Sequence, residues 1–231
     1  MRRTFLLLVA SLLFASCVDS APEALLGSTA QFDTVVDLPE PDVSGSVPLE
    51  EALQGRRSVR SFTSEPLDLD TIGQLLWAGQ GITDERGHRT SPSAGARYPL
   101  ELYVVTDAFV AHYLPTGHRL ESRTSPQNLP TELSNAAFGQ AWIAEASALI
   151  IVTGVDARTE VEYGAIAPSL VDREAGHAAQ NILLQAEALG LAATPVGGLD
   201  GNMIGTLLLL PPGYEARYII PVGHPSRPVG G

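Results

Sequence analysis

Lysine is absent from the 231 residues; all fourteen basic side chains are arginines. That excludes a Schiff-base lysine, a P-loop lysine and a lysine general base. Cys17 is the single cysteine, so no intramolecular disulfide and no cysteine metal cage can form. The five histidines (His88, His112, His118, His177 and His224) form no H-E-x-x-H pair, and no metal site is expected. There is no G-x-G-x-x-G after a strand and no G-x-S-x-G elbow. Positive charge is scarce as well: fourteen basic residues face 26 acids, for a net charge of −12. A surface of that sign repels phosphate backbones, so nucleic acid is not an expected partner. Any anionic ligand must be held by a local arginine cluster working against the field of the whole chain.

Apolar residues are plentiful, at 45%. That is enough for one domain with its own core, and it excludes global disorder. The first seventeen residues, MRRTFLLLVASLLFASC, read as a signal peptide. Two arginines precede an apolar run, Phe5 to Ala15, too short for a permanent membrane span. The ending Phe14-Ala15-Ser16-Cys17 resembles a bacterial lipobox, with Cys17 as the lipidated N-terminus. The expectation is an exported, bacterial, membrane-anchored lipoprotein that meets the membrane through that anchor only. Arg2-Arg3 fits either twin-arginine export or an ordinary Sec signal. Residues 18–48, rich in Pro, Asp, Glu and Ser, read as a flexible tether. The folded domain is expected at 49–231.

Periodicity predicts a helix from Leu49 and a second opened by Asp68, stopped by Gly79 and Gly81. Residues 100–106, 148–154 and 216–223 read as strands, and 111–121 as a turn between short strands. A helical pattern covers 130–147 with Trp142 inside it. The longest helix runs from about Pro168 to Leu189, stopped by Gly190. The turn PVGGLDG (195–201) leads into a short helix that ends in four leucines. Three or four strands interleaved with five or six helices give an α+β domain around one mixed sheet.

Four segments carry candidate chemistry. Arg56, Arg57, Ser58 and Arg60 in RRSVR form a compact anion clamp, because arginine donates bidentate hydrogen bonds to phosphate. PSAGARYP (92–99) frames small residues with prolines, so backbone can approach a flat ligand. PVGGLD (195–200) exposes the backbone donors of Gly197 and Gly198. Arg227 follows the last strand. Ser93, His177 and Asp172 could be imagined as a triad, but nothing in their spacing supports one. Glu174 and His177 are half of a di-iron helix motif whose second half is missing.

Taken in order, GRRSVRSF (55–62), LLWAGQGIT (75–83), RTSPSAGARYPLELYVV (89–105), EAGHAAQNILLQAEALGL (174–191) and PVGGLD (195–200) resemble the FMN-dependent nitroreductase superfamily. More narrowly they resemble its SagB-type branch, which includes azoline dehydrogenases. The resemblance implies a three-layer α/β/α sandwich with a mixed, mostly antiparallel sheet, working as an intertwined homodimer. It implies FMN as cofactor and a hydride passed between flavin N5 and a small organic substrate, with NAD(P)H a possible reductant. Arg56, Arg57, Ser58 and Arg60 would hold the phosphate and ribityl chain, with Arg227 nearby. Pro92, Ser93, Ala94, Gly95 and Ala96 would lie beside the isoalloxazine, and Gly197 and Gly198 would face N5. His177 and Asn181, on the central dimer helix, would be structural. Azoline dehydrogenases carry lysine and arginine where this chain has Glu162 and Ile166. Tyr163 remains as a proton donor or acceptor. A flavin-holding lipoprotein without turnover and a non-flavin surface interaction module stand as the alternatives.

Overall fold

The computed structural model describes residues 32–227. The expected signal peptide and Cys17 lie outside them.

The chain runs β1 (Thr34–Asp37), α1 (Leu49–Gly55), α2 (Leu69–Gln80), β2 (Leu100–Val105), β3 (Phe109–Leu114), β4 (Arg119–Thr124) and α3 (Leu129–Ala136). It continues with β5 (Ala148–Gly154), α4 (Asp156–Tyr163), α5 (Ala167–Ala188), β6 (Ala192–Ala193), α6 (Gly201–Leu208) and β7 (Glu215–Gly223). One seven-stranded sheet has the order β1-β4-β3-β2-β5-β7-β6, and all its ladders among the described residues are antiparallel. The mixed character comes from a single parallel bridge, Ser58 to Ala193, which extends the sheet beyond β6.

Side-chain alternation along the strands builds two cores. Leu100, Leu102 and Val104 of β2, with Ile150 and Val152 of β5, pack under α2 and α5. Tyr103, Val105, Leu149 and Ile151 point the other way, under α3 and α6. Every residue of β5 is buried, as a central strand covered on both faces must be. The result is the expected three-layer α/β/α arrangement. Within it α5 lies close against the sheet because its inward face is mostly alanine: Ala167, Ala175, Ala178, Ala179 and Ala186.

Several expectations are corrected. The tether expectation for 18–48 fails in its second half, where Thr34–Asp37 pairs with β4 as an edge strand. Only four residues long and mostly exposed, β1 carries no apolar alternation to announce it. The helix expected over 130–147 ends at Ala136, where Phe138 and Gly139 take positive φ of 60° and 72° and break it. Residues 141–145, Trp142 among them, form a separate short 3₁₀ turn. Gly79 does not stop α2. It lies inside the helix, and a Cβ there would come within 3.0 Å of both Ile182 and Leu102. Asp68 does cap α2, accepting from the Thr71 amide at 2.8 Å.

Beneath β2–β4 a layer of charge is half enclosed. His112 hydrogen-bonds Glu121 at 2.7 Å and Glu101 at 2.9 Å through its two ring nitrogens. Arg158 of α4 pairs with Glu101 at 2.6 Å. Two carboxylates therefore meet two cations. Burial alone would push the imidazole down, but the hydrogen bonds and charges of Glu101 and Glu121 outweigh it and hold His112 at about 9. Burial would likewise raise Glu101, yet the His112 hydrogen bond and the Arg158 charge leave it lowered. A folded-state pKa above the ordinary histidine value stabilises the fold fully below about pH 6.5. That contribution disappears as pH rises through about 9. Melting temperature is expected to fall between pH 7 and 10 in the natural chain, and to fall less steeply in His112→Gln. Parallel melting curves across that range for the two proteins would refute this account.

Candidate functional site

The arginine segment begins where α1 ends. Arg56 closes the helix, its amide donating to Ala52 O at 3.0 Å. Arg57 folds back, its guanidinium donating to Gln54 O at 2.8 Å and to Arg56 O at 3.0 Å. Positive charge at a helix C-terminus suits the dipole. The chain then runs beside β6: the Val59 amide donates to Ala193 O, and the Thr194 hydroxyl to Val59 O at 2.7 Å. Phe62 is buried against Pro225, and the Ser226 amide donates to Ser61 O at 3.1 Å. That pairing sets Arg227 opposite Arg60. Ser58, Arg57, Arg60 and Arg227 are exposed, and Arg56 is half-buried. Among the described residues none of these four arginines has a carboxylate partner. The Arg60 guanidinium lies 5.5 Å from the Trp142 ring centre.

Gly197 and Gly198 lie farther along the same edge of the sheet. Val196 exchanges two backbone hydrogen bonds with Ile219, and the two glycines emerge exposed just after it. Asp200 then caps α6 through the Met203 amide, while its own amide donates to Ala136 O. Facing Gly198 is Phe138, 74% exposed, its ring 3.6 Å from where a Gly198 Cβ would stand. An aromatic side chain displayed on left-handed backbone beside a glycine pair is costly for folding alone. Sequence reading missed Phe138 by absorbing it into a helix; the signal was the Phe-Gly pair interrupting an otherwise apolar-periodic run.

PSAGA forms a second group. Pro92, Gly95 and Ala96 are exposed, and Ser93 and Ala94 half-buried. The Ser93 hydroxyl accepts from the Tyr98 amide at 2.8 Å, which gives it a structural task. His177 is exposed on α5, and nothing links it to Ser93. Against Gly95 lie Glu162 and Tyr163 from the end of α4. A Cβ at Gly95 would overlap the Glu162 carboxylate and stand 3.1 Å from the Tyr163 hydroxyl. Glu162 is held there by Arg97 at 3.0 Å. A second carboxylate meets this loop: Glu174, paired in the sequence with His177 as half of a metal motif, is 5% exposed on α5 and accepts from the Ala94 amide at 2.9 Å.

Both groups touch α5, but not at the same place. Glu174 meets the PSAGA loop, whereas Glu187 lies against Gly55 at the start of the arginine segment. Thirteen residues separate them, about 20 Å along the helix at about 1.5 Å per residue. One chain thus presents two separate groups, the arginine segment with Arg227 at the Glu187 end of α5 and the PSAGA loop with Tyr163 at the Glu174 end, while Gly197 shares a cavity with Asp172 of α5.

Comparison with known proteins agrees with this architecture. A profile described as the nitroreductase family matches residues 53–224, a span that holds both groups except Arg227. A protein of Methanocaldococcus jannaschii named as a nitroreductase is 41% identical over 174 residues, 73% of this chain and 87% of that protein. A crystal structure from Ralstonia eutropha, titled as a nitroreductase, superposes with a TM-score of 0.75 at 27% identity, over 87% of this chain and 93% of that one. The NADPH:FMN oxidoreductase of Vibrio harveyi, solved with NAD+, shares the fold at a TM-score of 0.59 and 21% identity, over 78% of this chain and 70% of that one. The chain belongs to the nitroreductase family, and so to a family of oxidoreductases.

Gly95→Ala is expected to destabilise the chain by about 1–2 kcal/mol, because φ is +58° and the new methyl displaces Glu162. Denaturant unfolding of the purified variant measures it, and an unchanged midpoint would contradict the geometry given for this loop.

Proposed function

We propose that this chain is an FMN-dependent oxidoreductase of the SagB-type branch, acting as a homodimer. The observation that carries the reading is the arginine segment. In a chain of net charge −12, Arg56, Arg57, Arg60 and Arg227 lie along or beside one segment, none with a carboxylate partner among the described residues. Like charges so placed fit a multiply charged anion such as the FMN phosphate. Gly197 and Gly198, exposed beyond Val196, fit the edge of a flat ring with their amides. The flavin, when bound, supplies hydride transfer to or from a small organic substrate, with NAD(P)H as the reductant.

The remaining roles fall to this chain's own side chains. Arg56, Arg60 and Ser58 bind the phosphate. The PSAGA loop, about 20 Å away along α5, completes the site on a second copy of the chain in an arrangement that pairs the two α5 helices. Phe138, beside Gly198, would shield a bound flavin from water and stack on aromatic substrates. The Tyr163 hydroxyl, beside Gly95, gives or takes a proton on the substrate. Glu162 points to a second reading, a flavin-holding protein without turnover. It stands where azoline dehydrogenases carry lysine, and its ion pair with Arg97 leaves no free cation there. NADH oxidation with a nitroaromatic or quinone acceptor, at a rate above that of free FMN, distinguishes the first reading from the second.

The phosphate test compares FMN with riboflavin, which lacks the phosphate. Arg56→Ala with Arg60→Ala is expected to weaken FMN about tenfold to a hundredfold, the value of one or two charge-assisted hydrogen bonds. Riboflavin affinity should stay unchanged. A natural chain that takes up no FMN overturns the reading. Export and lipidation at Cys17 complete the proposal. The natural chain, expressed in a bacterium, is expected in the membrane fraction labelled by a palmitate analogue, and Cys17→Ser unlabelled; a label on both, or on neither, refutes the anchor.

A further inference from the structure

The loop from Arg89 to Tyr98 is fastened unevenly. Its first part is held many times over by α2. Arg89 donates to Gln80 Oε1 at 2.7 Å, the Thr90 hydroxyl to Trp77 O at 3.0 Å, and the Ser91 hydroxyl to Gly79 O at 2.9 Å. Asn181 of α5 adds its side-chain amide to Thr90 O and to the Ser91 hydroxyl, both at 3.1 Å. The second part carries the strain. Gly95, Ala96 and Tyr98 have φ of 58°, 51° and 46°. The left-handed conformation costs a residue with a Cβ about 1–2 kcal/mol, so Ala96 and Tyr98 persist only if their surroundings impose them. The far end of that half is tied by Arg158 donating to Tyr98 O at 3.1 Å and by Arg97 pairing with Glu162 at 3.0 Å; from α5 it receives one hydrogen bond, Ala94 N–H to Glu174 Oε1 at 2.9 Å. Glu174 is 5% exposed on the inward, otherwise mostly alanine face of α5. Burying a carboxylate is costly, and an apolar residue would pack there more cheaply.

We propose that Glu174 is a positioning residue, which fixes the Ala94–Tyr98 half of the loop in its strained shape so that the loop fits the flavin. The proposal rests on the flavin reading above and deepens it. An acceptor oxygen at the reach of a glutamate is required; the negative charge is secondary. Glutamine supplies the same reach and the same oxygen. Aspartate keeps the charge but is one methylene too short. Leucine fills the volume with neither.

The test uses the full-length mature chain and two readouts. The first is FMN affinity by titration. The second is amide hydrogen exchange at Ala94–Tyr98 in the flavin-free protein, with α5 amides as internal reference. Glu174→Gln is expected within threefold of the natural chain in both. Glu174→Leu and Glu174→Asp are expected to bind FMN at least tenfold more weakly and to exchange the Ala94 amide at least tenfold faster, with α5 exchange unchanged. Should the leucine variant fail to fold, the aspartate and glutamine pair decides. Glutamine failing like aspartate would show that the charge acts, and aspartate matching the natural chain would show that the hydrogen bond does not; either overturns the proposal. If the natural chain takes up no FMN, the flavin reading fails, while the exchange measurement still decides whether Glu174 holds the loop.

Discussion

The packing of α5 against the sheet is the constraint on which the rest depends. Its alanines let the helix axis come close to β2, β5 and β7, and the same closeness brings Glu174 and Asn181 into reach of the PSAGA loop. Gly79 of α2 answers the same demand, since any side chain there would collide with Ile182. A bulkier face on α5 would lift it from the sheet and detach the PSAGA loop that refers to it. The depth of one helix thus sets where the PSAGA loop lies, while the arginine segment is placed by its pairing with β6, Thr194 and Ser226.

Electrostatics works at two levels. Over the whole surface the excess of acids is a solvated, screened field. Locally, charges are sorted. His112, Glu101, Glu121 and Arg158 balance within a half-enclosed layer, and Arg217 gathers Asp156 and Glu215 at 2.6 Å and 3.0 Å. Among the described residues, the arginine segment groups cations without such balance. Its placement needs no charged partner: a parallel bridge at Ser58, the Thr194 hydroxyl and the buried Phe62 hold the backbone instead.

Much of the architecture could be read from residues alone. The helices at Leu49, Asp68 and Pro168, and the strands at 100, 148 and 216, announce themselves by period, caps and Gly/Pro punctuation. The rest depends on partners distant in sequence. Thr34–Asp37 is a strand only because β4 offers an edge, and Ala192–Ala193 only because β7 does. The break at Phe138 needs a positive φ that a phenylalanine does not advertise. At the site, the ordered motifs name candidate residues, but not that the arginine segment and the PSAGA loop meet α5 about 20 Å apart. Glu174 stood out in the sequence only as half of a metal motif with His177, and its task became legible only with Ala94 beside it.

The order of the sheet also fixes a direction. β1, through which the chain enters, forms one edge, and β6 with the neighbouring Ser58 segment forms the other. Six inter-strand spacings lie between them, about 29 Å at about 4.8 Å each. Were the chain held by its N-terminus, as proposed above, β1 would be the hoist of a flag and the arginine segment its fly.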